Sequence, residues 1–356
     1  MTKITRILFA VIAFSLQGCV RGHNQYADCD TFDGEDVSAI HLEGEVCDVY
    51  TPLLPMEMCM VNGRIAYATN GETYHLCLAD IHSGDSCASF LSMGRAENEA
   101  LSVFGLKYSP IYRLLWANDI YSSKVVVYSC DASNGINTTP NIIISDIPKC
   151  GSNNMELLDN KLESIILTPS YSGEADSRFV TYNVVDKTSR KWGEFPKHQD
   201  FDSHDKKSRL YYGWSCINDS ATRIAFAHQY TDLLMIYDIQ TGEIVSAMHG
   251  PLQTLPIMTE VSRNNIYTIG PADNCIQAYL SVKCRDNKIW GLYSGQTMQH
   301  SPQIICTFDW DGRPLKWYSL DEDIVDFDVD VASKTIYAII LPDNSEDYIV
   351  KKYRYE

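Results

Sequence analysis

The sequence has little positive charge and nowhere concentrates it. Of its 356 residues, 29 are lysine or arginine and 46 are aspartate or glutamate, which gives a formal net charge of −17. No cluster of basic residues interrupts this acidic balance. An acidic chain is repelled by phosphate backbones, so nucleic-acid binding is not expected.

The sequence also lacks the short motifs of the common catalytic and cofactor-binding classes. It contains no P-loop, no Gly-x-Gly-x-x-Gly opening a helix, no His-Glu-x-x-His, no Gly-x-Ser-x-Gly and no EF-hand loop. No Cys-x-x-Cys occurs, and the cysteines and histidines do not have the spacing of zinc ligands. We therefore expect no cofactor. The acidic balance would permit Ca²⁺ in a central channel, although no motif supports it.

The N-terminus predicts export and a lipid anchor. A basic start precedes a short apolar run over Ile7–Phe14, and no apolar stretch is long enough to span a bilayer. Leu16–Cys19 reads Leu-Gln-Gly-Cys and looks like a bacterial lipobox, whose cleavage leaves Cys19 as the lipidated first residue. An ordinary secretory signal with a chance cysteine is the alternative.

These features predict a division of the chain and a location. We expect a signal peptide over 1–18, a lipidated tether over 19–36 and a folded domain over 37–356. The mature protein would be held on a membrane through Cys19 without spanning it. The expected location is the bacterial cell envelope, at the outer membrane in particular, and the sequence leaves open whether the domain faces the periplasm or the cell surface.

Eleven cysteines follow Cys19. An odd number leaves at least one thiol free or paired between chains. Several lie inside apolar strand-like runs and are interpreted as small buried hydrophobes. Cys275 and Cys284 flank an apparent strand and could form a disulfide.

A strand-like pattern repeats along the chain. Short β-branched and aromatic runs alternate with turns rich in Asn, Asp, Gly and Ser, whereas no helical periodicity extends beyond about two turns. The first series of runs is Ile65–Ala68, Leu115–Asn118, Ile165–Thr168, Ile224–Ala227, Ile289–Leu292 and Ile336–Ile339. The second series is Leu76–Ala79, Val125–Tyr128, Phe179–Tyr182, Leu234–Tyr237, Ile305–Phe308 and Ile349–Tyr353.

These repeats predict an all-β fold, a six-bladed β-propeller with four-stranded antiparallel blades. One twisted sheet cannot bury both of its faces, and sheets stacked around an axis can. Some other all-β fold, such as a pair of sandwiches, is the alternative. The chain ends after the third strand of its last repeat, and Val37–Leu42 belongs to no repeat. We expect that segment to pair with the last blade and close the ring, which leaves no open edge and favours a monomer.

One loop and the strands after it carry a family resemblance. Ser92–Glu99 contains Gly-Arg-x-x-x-Glu after the first repeat, and Leu115–Asp119 and Lys124–Tyr128 follow it. This order resembles NHL-type blades and, more closely, the TolB-like six-bladed propeller lipoproteins of Bacteroides-type bacteria. Ala100 stands where those proteins usually have Phe. The resemblance implies the fold and the envelope location and little about activity.

Long loops are expected to gather on one face of the ring. Loops from second to third strands, and from one blade to the next, would share that face, where binding residues tend to lie on a rigid scaffold. Aromatic side chains beside polar groups there suit sugars or peptides. The predicted ligand-binding residues are Arg95, Asn118, Asp119, Tyr171, His228, Tyr230 and Tyr293. Asp80, Asp238 and Asp309 are instead interpreted as turn formers that accept backbone N–H bonds.

Two functions remain open from the sequence. The favoured one is a non-catalytic binding or scaffold module of the cell envelope, whose ligand is a protein, a peptide or a glycan. The alternative is a carbohydrate-active or lactonase-like enzyme that uses histidine and carboxylates, such as His228 and Asp119, at the mouth of the propeller channel.

Overall fold

The computed structural model describes most of the chain after the N-terminus. The described residues are 26, 28–34, 36–71, 73–131, 135–145, 147–148, 154–168, 177–197, 204–263, 266–297, 302–343 and 345–356. The predicted signal peptide over 1–18, the lipidation site Cys19 and the predicted binding residue Tyr171 lie outside them. Those expectations stay predictions.

Six sheets form the ring, and three short strands precede them. The leading strands are β1 (Asp30–Thr31), β2 (Ala39–Leu42) and β3 (Glu45–Cys47). Blade one is β4 (Pro55–Val61), β5 (Arg64–Thr69), β6 (Tyr74–Asp80) and β7 (Ser86–Ser92). Blade two is β8 (Phe104–Ser109), β9 (Leu114–Asp119) and β10 (Lys124–Asp131), with β11 (Gly135–Ile136) and β12 (Ile142–Ile144) on its outer edge. Blade three is β13 (Asn154–Leu157), β14 (Ser164–Thr168), β15 (Phe179–Asn183) and β16 (Thr188–Trp192).

The second half of the ring follows the same order. Helix α1 (His204–Leu210) leads into blade four, which is β17 (Gly213–Ile217), β18 (Arg223–His228), β19 (Leu233–Asp238) and β20 (Ile244–His249). A hairpin of β21 (Met258–Arg263) and β22 (Ile266–Pro271) precedes blade five, which is β23 (Ile276–Arg285), β24 (Lys288–Thr297), β25 (Ile304–Phe308) and β26 (Pro314–Leu320). Blade six is β27 (Ile324–Asp330), β28 (Thr335–Ile340) and β29 (Ile349–Arg354), with β3 outermost.

This architecture confirms the predicted six-bladed propeller. The first predicted series of runs forms the second strand of every blade, and the second series forms the third strand. Within the described residues, no helix is long and apolar enough to cross a bilayer.

The hydrophobic core is divided among the blade interfaces. Six buried clusters each combine apolar residues from two neighbouring blades, and the last joins blade six to blade one. Aromatic edges pack against ring faces at these interfaces, as Phe179 does on Tyr237 with ring centres 5.0 Å apart. Because both faces of a blade are covered, its inner strands read as continuous apolar runs.

The ring is closed by a different N-terminal segment from the predicted one. β3 pairs with β29 and supplies the missing outer strand of blade six, whereas β2 pairs in parallel with β26 and adds a fifth strand to blade five. The chain crosses between the two blades at Gly44, where a Cβ atom would stand 2.5 Å from the Tyr353 ring. An N-terminal strand does complete the last blade, and the assignment of Val37–Leu42 to that role is wrong.

Part of the expected tether packs on the propeller. β1 pairs in parallel with β20, so the N-terminal chain runs along the outer edges of blades four, five and six. Tyr26 and Phe32 are buried, and the Phe32 ring packs edge-on against Phe308 and Trp317. The chain therefore joins the propeller before residue 37, because these two aromatic side chains find apolar partners at blade interfaces.

Of the two cysteine predictions, one is wrong and one is confirmed. Cys275 precedes β23 and Cys284 lies near its end, which separates them by about 30 Å at the rise of a strand, and both thiols are free. A disulfide needs Cα atoms within about 7 Å, so the suggested bridge is wrong. Six described cysteines are buried, which confirms their interpretation as small core residues: Cys59, Cys77, Cys130, Cys216, Cys275 and Cys306.

Candidate functional site

The first strands of the six blades surround a central channel. Its volume is about 330 Å³, at the small end of the range for small-molecule pockets. Residues of two short turns, Ser109–Tyr112 and Ile217–Asp219, also line the channel. Ile111 and Asp219 in these turns are exposed to solvent. Each blade contributes one polar side chain to a ring that we call the channel belt. Its members are Glu57, Lys107, Glu156, Ser215, Lys283 and Asp326.

Three consecutive blades form one half of the belt, which we call the balanced half. Lys107 of blade two forms an ion pair with Glu156 of blade three and donates to the Ser215 carbonyl of blade four at 2.7 Å. The Ser215 hydroxyl donates to the same Glu156 oxygen, Oε1, at 2.8 Å. One ammonium and one hydroxyl thus serve one carboxylate.

The other three blades form the acidic half. Lys283 of blade five donates to Asp326 Oδ2 of blade six at 2.9 Å and to the Met58 carbonyl of blade one. The Met58 N–H donates to the same Asp326 oxygen at 2.8 Å. Lys283 therefore repeats the arrangement of Lys107, and both lysines face a tryptophan on the second strand, Trp116 or Trp290.

The halves differ in the side chain of their third member. Blade four contributes the Ser215 hydroxyl to the balanced half, whereas blade one contributes the carboxylate of Glu57, the residue next to Met58, to the acidic half. The Glu57 carboxylate accepts the Gly105 N–H at 3.0 Å and the Leu106 N–H of blade two. The acidic half therefore has two carboxylates for one ammonium group.

Two buried polar atoms on the channel wall have no hydrogen-bond partner among the described residues. One is Oδ1 of Asp326, a residue that is only 2% exposed. The other is the indole Nε1 of Trp214, on blade four. Buried polar groups are nearly always paired, so these two atoms mark unused bonding capacity in residues that line the channel.

Burial and neighbouring charges shift the titration of the belt. Burial raises the pKa of Glu57, and the charge of Asp326 acts in the same direction against its two N–H donors and Lys283. Burial likewise raises the pKa of Glu156, and Lys107 opposes it. Burial would lower the pKa of Lys283, but the charge of Asp326 outweighs it and holds that pKa above its ordinary value. Lys283 is therefore an ammonium group at neutral pH.

A second ion pair lies beside the acidic half. Arg285 Nη2 stands 2.6 Å from Asp328 Oδ2, and that oxygen accepts the Met60 N–H at 2.7 Å. Asp328 is fully buried. Blades five, six and one are thus joined by two layers of charged hydrogen bonds where the ring closes.

Comparison with known families finds one that matches most of the chain. The profile of the family described as TolB-like 6-blade propeller-like matches residues 38–332. The chain belongs to this family. The match confirms the TolB-like part of the resemblance seen in the sequence, while its NHL-like and lipoprotein details stay predictions.

The solved structures agree on the fold. A member of the DUF4221 family from Bacteroides vulgatus is 11% identical and matches with a TM-score of 0.56 over 89% of this chain and 97% of its own. The Cps50 (Swd1) β-propeller domain of Myceliophteria thermophila is 9% identical, with a TM-score of 0.51 over 88% of this chain and 100% of its own. Comparison with curated protein sequences finds no match. At these identities the likeness shows the fold alone.

The Gly-Arg loop of this TolB-like chain is held by internal bonds. The Glu99 carboxylate accepts the Ala96 N–H at 2.8 Å, and a Cβ atom at Gly94 would stand 1.9 Å from it. The buried Lys124 ammonium donates to the Ala96 carbonyl at 3.1 Å. These contacts explain why the loop needs glycine and glutamate, whereas the Arg95 side chain is exposed.

Two further predicted residues lie beside that loop. Asp119 is 1% exposed and accepts the Leu101 N–H at 2.8 Å and the Ser102 hydroxyl at 3.2 Å. Despite burial, these donors and Ser122 hold the pKa of Asp119 below its ordinary value. Asn118 is buried on the same strand, β9. Asp119 thus anchors the chain between blades one and two, and binding by Arg95, Asn118 or Asp119 stays a prediction.

The remaining described residues of the predicted site belong to blades four and five. His228 is fully buried with Nδ1 2.7 Å from the Leu233 carbonyl, and burial and the charge of Arg178 hold its pKa well below the ordinary value. Tyr293 is buried against Tyr279, and Tyr230 is half-buried. None of the described predicted residues lines the channel. The structure divides them between two sides of the ring.

The sequence does contain one signal for the belt. Glu57, Lys107, Lys283 and Asp326 each interrupt an apolar first strand. Charged residues are almost never buried unless paired, so charges inside several of these first strands are a sign of paired polar groups.

The predicted turn formers behave as expected. Asp80 accepts the His82 N–H at 2.9 Å, Asp238 accepts the Thr241 N–H at 2.8 Å, and Asp309 accepts the Asp311 N–H at 2.9 Å. Within the part of the chain that the structure describes, no group of three or more His, Cys, Asp or Glu side chains could hold a metal ion.

Proposed function

We propose that this propeller is a non-catalytic binding or scaffold module of the bacterial cell envelope, anchored through lipid on Cys19, that takes part of a peptide, protein or glycan into its channel. One observation carries the proposal: a ligand-sized channel whose charged side chains are tied to one another across the blades. The propeller fold is typical of binding and scaffold modules.

The bonding of the belt argues against side-chain catalysis. Ser215 is fully buried and its hydroxyl donates to Glu156, so it does not face a substrate as a nucleophile. The Lys107 side chain is held between the same carboxylate and the Ser215 carbonyl, so it is not free to contact a substrate as a general base. The belt instead presents fixed charges and bonding capacity, which is what recognition requires.

The anchor would hold the propeller close to the membrane. Tyr26 is the first described residue that packs on the ring, and it lies seven positions after Cys19. A fully extended chain of that length reaches at most about 25 Å. A Cys19→Ser variant is expected to move from the membrane fraction to the soluble fraction and to lose labelling by a palmitate analogue. Unchanged membrane association would contradict the anchor.

Thermal melting of the lipidated full chain in detergent tests the binding function. A ligand that binds only the folded state raises the melting temperature by mass action. We would screen peptidoglycan fragments, other glycans and envelope peptides, with Ca²⁺ and with EDTA. Ser281 lies on the channel wall and Ser86 on an exposed outer strand. A Ser281→Trp variant should therefore abolish the rise, and a Ser86→Trp variant should retain it.

Two results would overturn this proposal. A rise that persists in the Ser281→Trp variant would place binding outside the channel. Reproducible turnover of a sugar or lactone by the purified chain would favour the enzymatic alternative.

A further inference from the structure

We propose that the ligand of the channel carries a primary ammonium group, which binds between Glu57 and Asp326 in the acidic half. This inference rests on the proposed function, because it names the chemistry recognised at the same channel.

The first support is the unused oxygen of Asp326. Both of its donors, the Lys283 ammonium and the Met58 N–H, bind Oδ2. Oδ1 of this channel-lining residue is buried and has no partner among the described residues. A buried carboxylate oxygen requires a donor, and an ammonium group offers three.

The second support is the charge of the acidic half. Glu57 faces Asp326 and Lys283 from blades six and five, and the N–H groups of Gly105 and Leu106 from blade two. Lys283 neutralises one of the two carboxylates. In the balanced half, Lys107 and the Ser215 hydroxyl already serve the single carboxylate of Glu156. An added cation therefore improves the charge balance only in the acidic half.

The third support is a donor on the far wall. The Trp214 indole N–H has no partner in the part of the chain that the structure describes, and its blade lies three blades away from that of Glu57. It can donate to a hydroxyl or carbonyl oxygen of a ligand whose ammonium group lies at the acidic half. A channel of 330 Å³ holds about ten water molecules. The expected ligand is therefore small, or the end of a larger one, and combines an ammonium group with an oxygen acceptor.

Two matched pairs of probes test the ammonium group on the unchanged protein. Glucosamine and glucose form the sugar pair, and alaninamide and lactamide form the amino-acid pair, so that within each pair an amine replaces a hydroxyl. Calorimetric titration of the full chain should show at least about tenfold tighter binding of the amine in one pair or both. The pair in which the amine binds more tightly shows whether the ligand is an amino sugar or an amino-acid derivative. Equal binding within both pairs, or no binding of either amine, overturns the inference.

Variants then locate the group. Glu57→Gln and Asp326→Asn should each weaken binding of the responding amine by about tenfold or more and leave its neutral partner unaffected. Glu156→Gln removes the same charge from the balanced half and should change amine binding by less than about threefold. Equal losses in both halves would mean that only the net charge matters, which overturns the assignment.

The test separates this inference from the proposed function. Melting curves show whether each variant folds. If Asp326→Asn does not fold, the inference is still tested by titrating the probe pairs into the unchanged chain. If the chain binds a ligand that Ser281→Trp excludes but does not discriminate the amines, the inference fails and the function stands. If binding persists in Ser281→Trp, the channel assignment itself fails.

Discussion

The two halves of the channel belt share one arrangement and differ at one side chain. In each half a lysine pairs with a carboxylate of the next blade and donates to a carbonyl of the blade after it, Ser215 or Met58. In the balanced half the Ser215 hydroxyl also donates to the carboxylate, whereas in the acidic half the Met58 N–H does so and blade one adds the carboxylate of Glu57. Both halves join neighbouring blades through charged hydrogen bonds. Among the described residues, the acidic half also retains an unpaired carboxylate oxygen and an additional carboxylate that a ligand could bind.

The acidic half also lies where the ring is closed. Asp326 and Asp328 of blade six accept the N–H groups of Met58 and Met60 of blade one. β3 joins the same last blade from its outer edge. Closure therefore depends on buried charged hydrogen bonds at the channel as well as on strand pairing at the periphery.

The largest expected difference between the halves follows removal of each lysine. Lys283→Met leaves Asp326 and Glu57 buried without an ammonium group and should lower the free energy of unfolding by about 3–5 kcal/mol. Lys107→Met should cost less, because it leaves one carboxylate, that of Glu156, without an ammonium group rather than two. Urea unfolding of both variants measures the difference. Equal losses would show that the halves are equivalent.

A smaller effect is expected when Glu57 is replaced by serine, the side chain that blade four contributes to the balanced half. Glu57→Ser removes the acceptor of the Gly105 and Leu106 N–H groups and should lower the free energy of unfolding by about 1–3 kcal/mol. It should also abolish the preference for amines over neutral probes. Retained preference in a folded Glu57→Ser variant would contradict the role given to Glu57.

The pH dependence sharpens the same comparison. Burial raises the pKa of Glu57 above the ordinary 4.5, so its contribution to stability is fully present below pH 4.5 and is lost as the pH rises through the raised value. Amine binding should change in the opposite direction, because the carboxylate must lose its proton to attract the cation. Titrations in this pH window on wild type and Glu57→Gln check both signs, with Glu156 contributing equally to the two proteins. Amine binding that weakens as the pH rises would be the contrary result.

The smallest effect is expected on the long-loop face. Arg95 is exposed, so Arg95→Ala should change the free energy of unfolding by less than about 0.5 kcal/mol and leave amine binding unchanged. Urea unfolding and calorimetry measure the two quantities. Loss of binding in this variant would return the site to the face that the sequence predicted.

Much of the fold could be predicted because it depends on local patterns. Strand runs such as Ile224–Ala227, separated by turns, indicate blades wherever they occur along the chain. The closing segment was predicted less well, since the alternation in Val37–Leu42 indicates a strand but not its partner. The structure shows that partner to be β26.

The belt could not be predicted in the same way. Its members are far apart in the sequence, and only the ring geometry shows that Glu57 and Asp326 face the same channel. The predicted site was based on the length of the loops, and it included residues such as His228, whose ring is buried in the fold. Long loops indicate where side chains can vary without disturbing the fold. Buried polar atoms without a partner indicate where a ligand could form a hydrogen bond.

The most direct test of the channel assignment is a crystal structure of the protein grown at neutral pH with the amine of the responding pair, glucosamine or alaninamide. The account predicts this amine inside the channel, with its ammonium group within hydrogen-bond distance of Asp326 Oδ1 and of the Glu57 carboxylate. The amine bound on the long-loop face, or a channel without it at saturating concentration, would contradict the account.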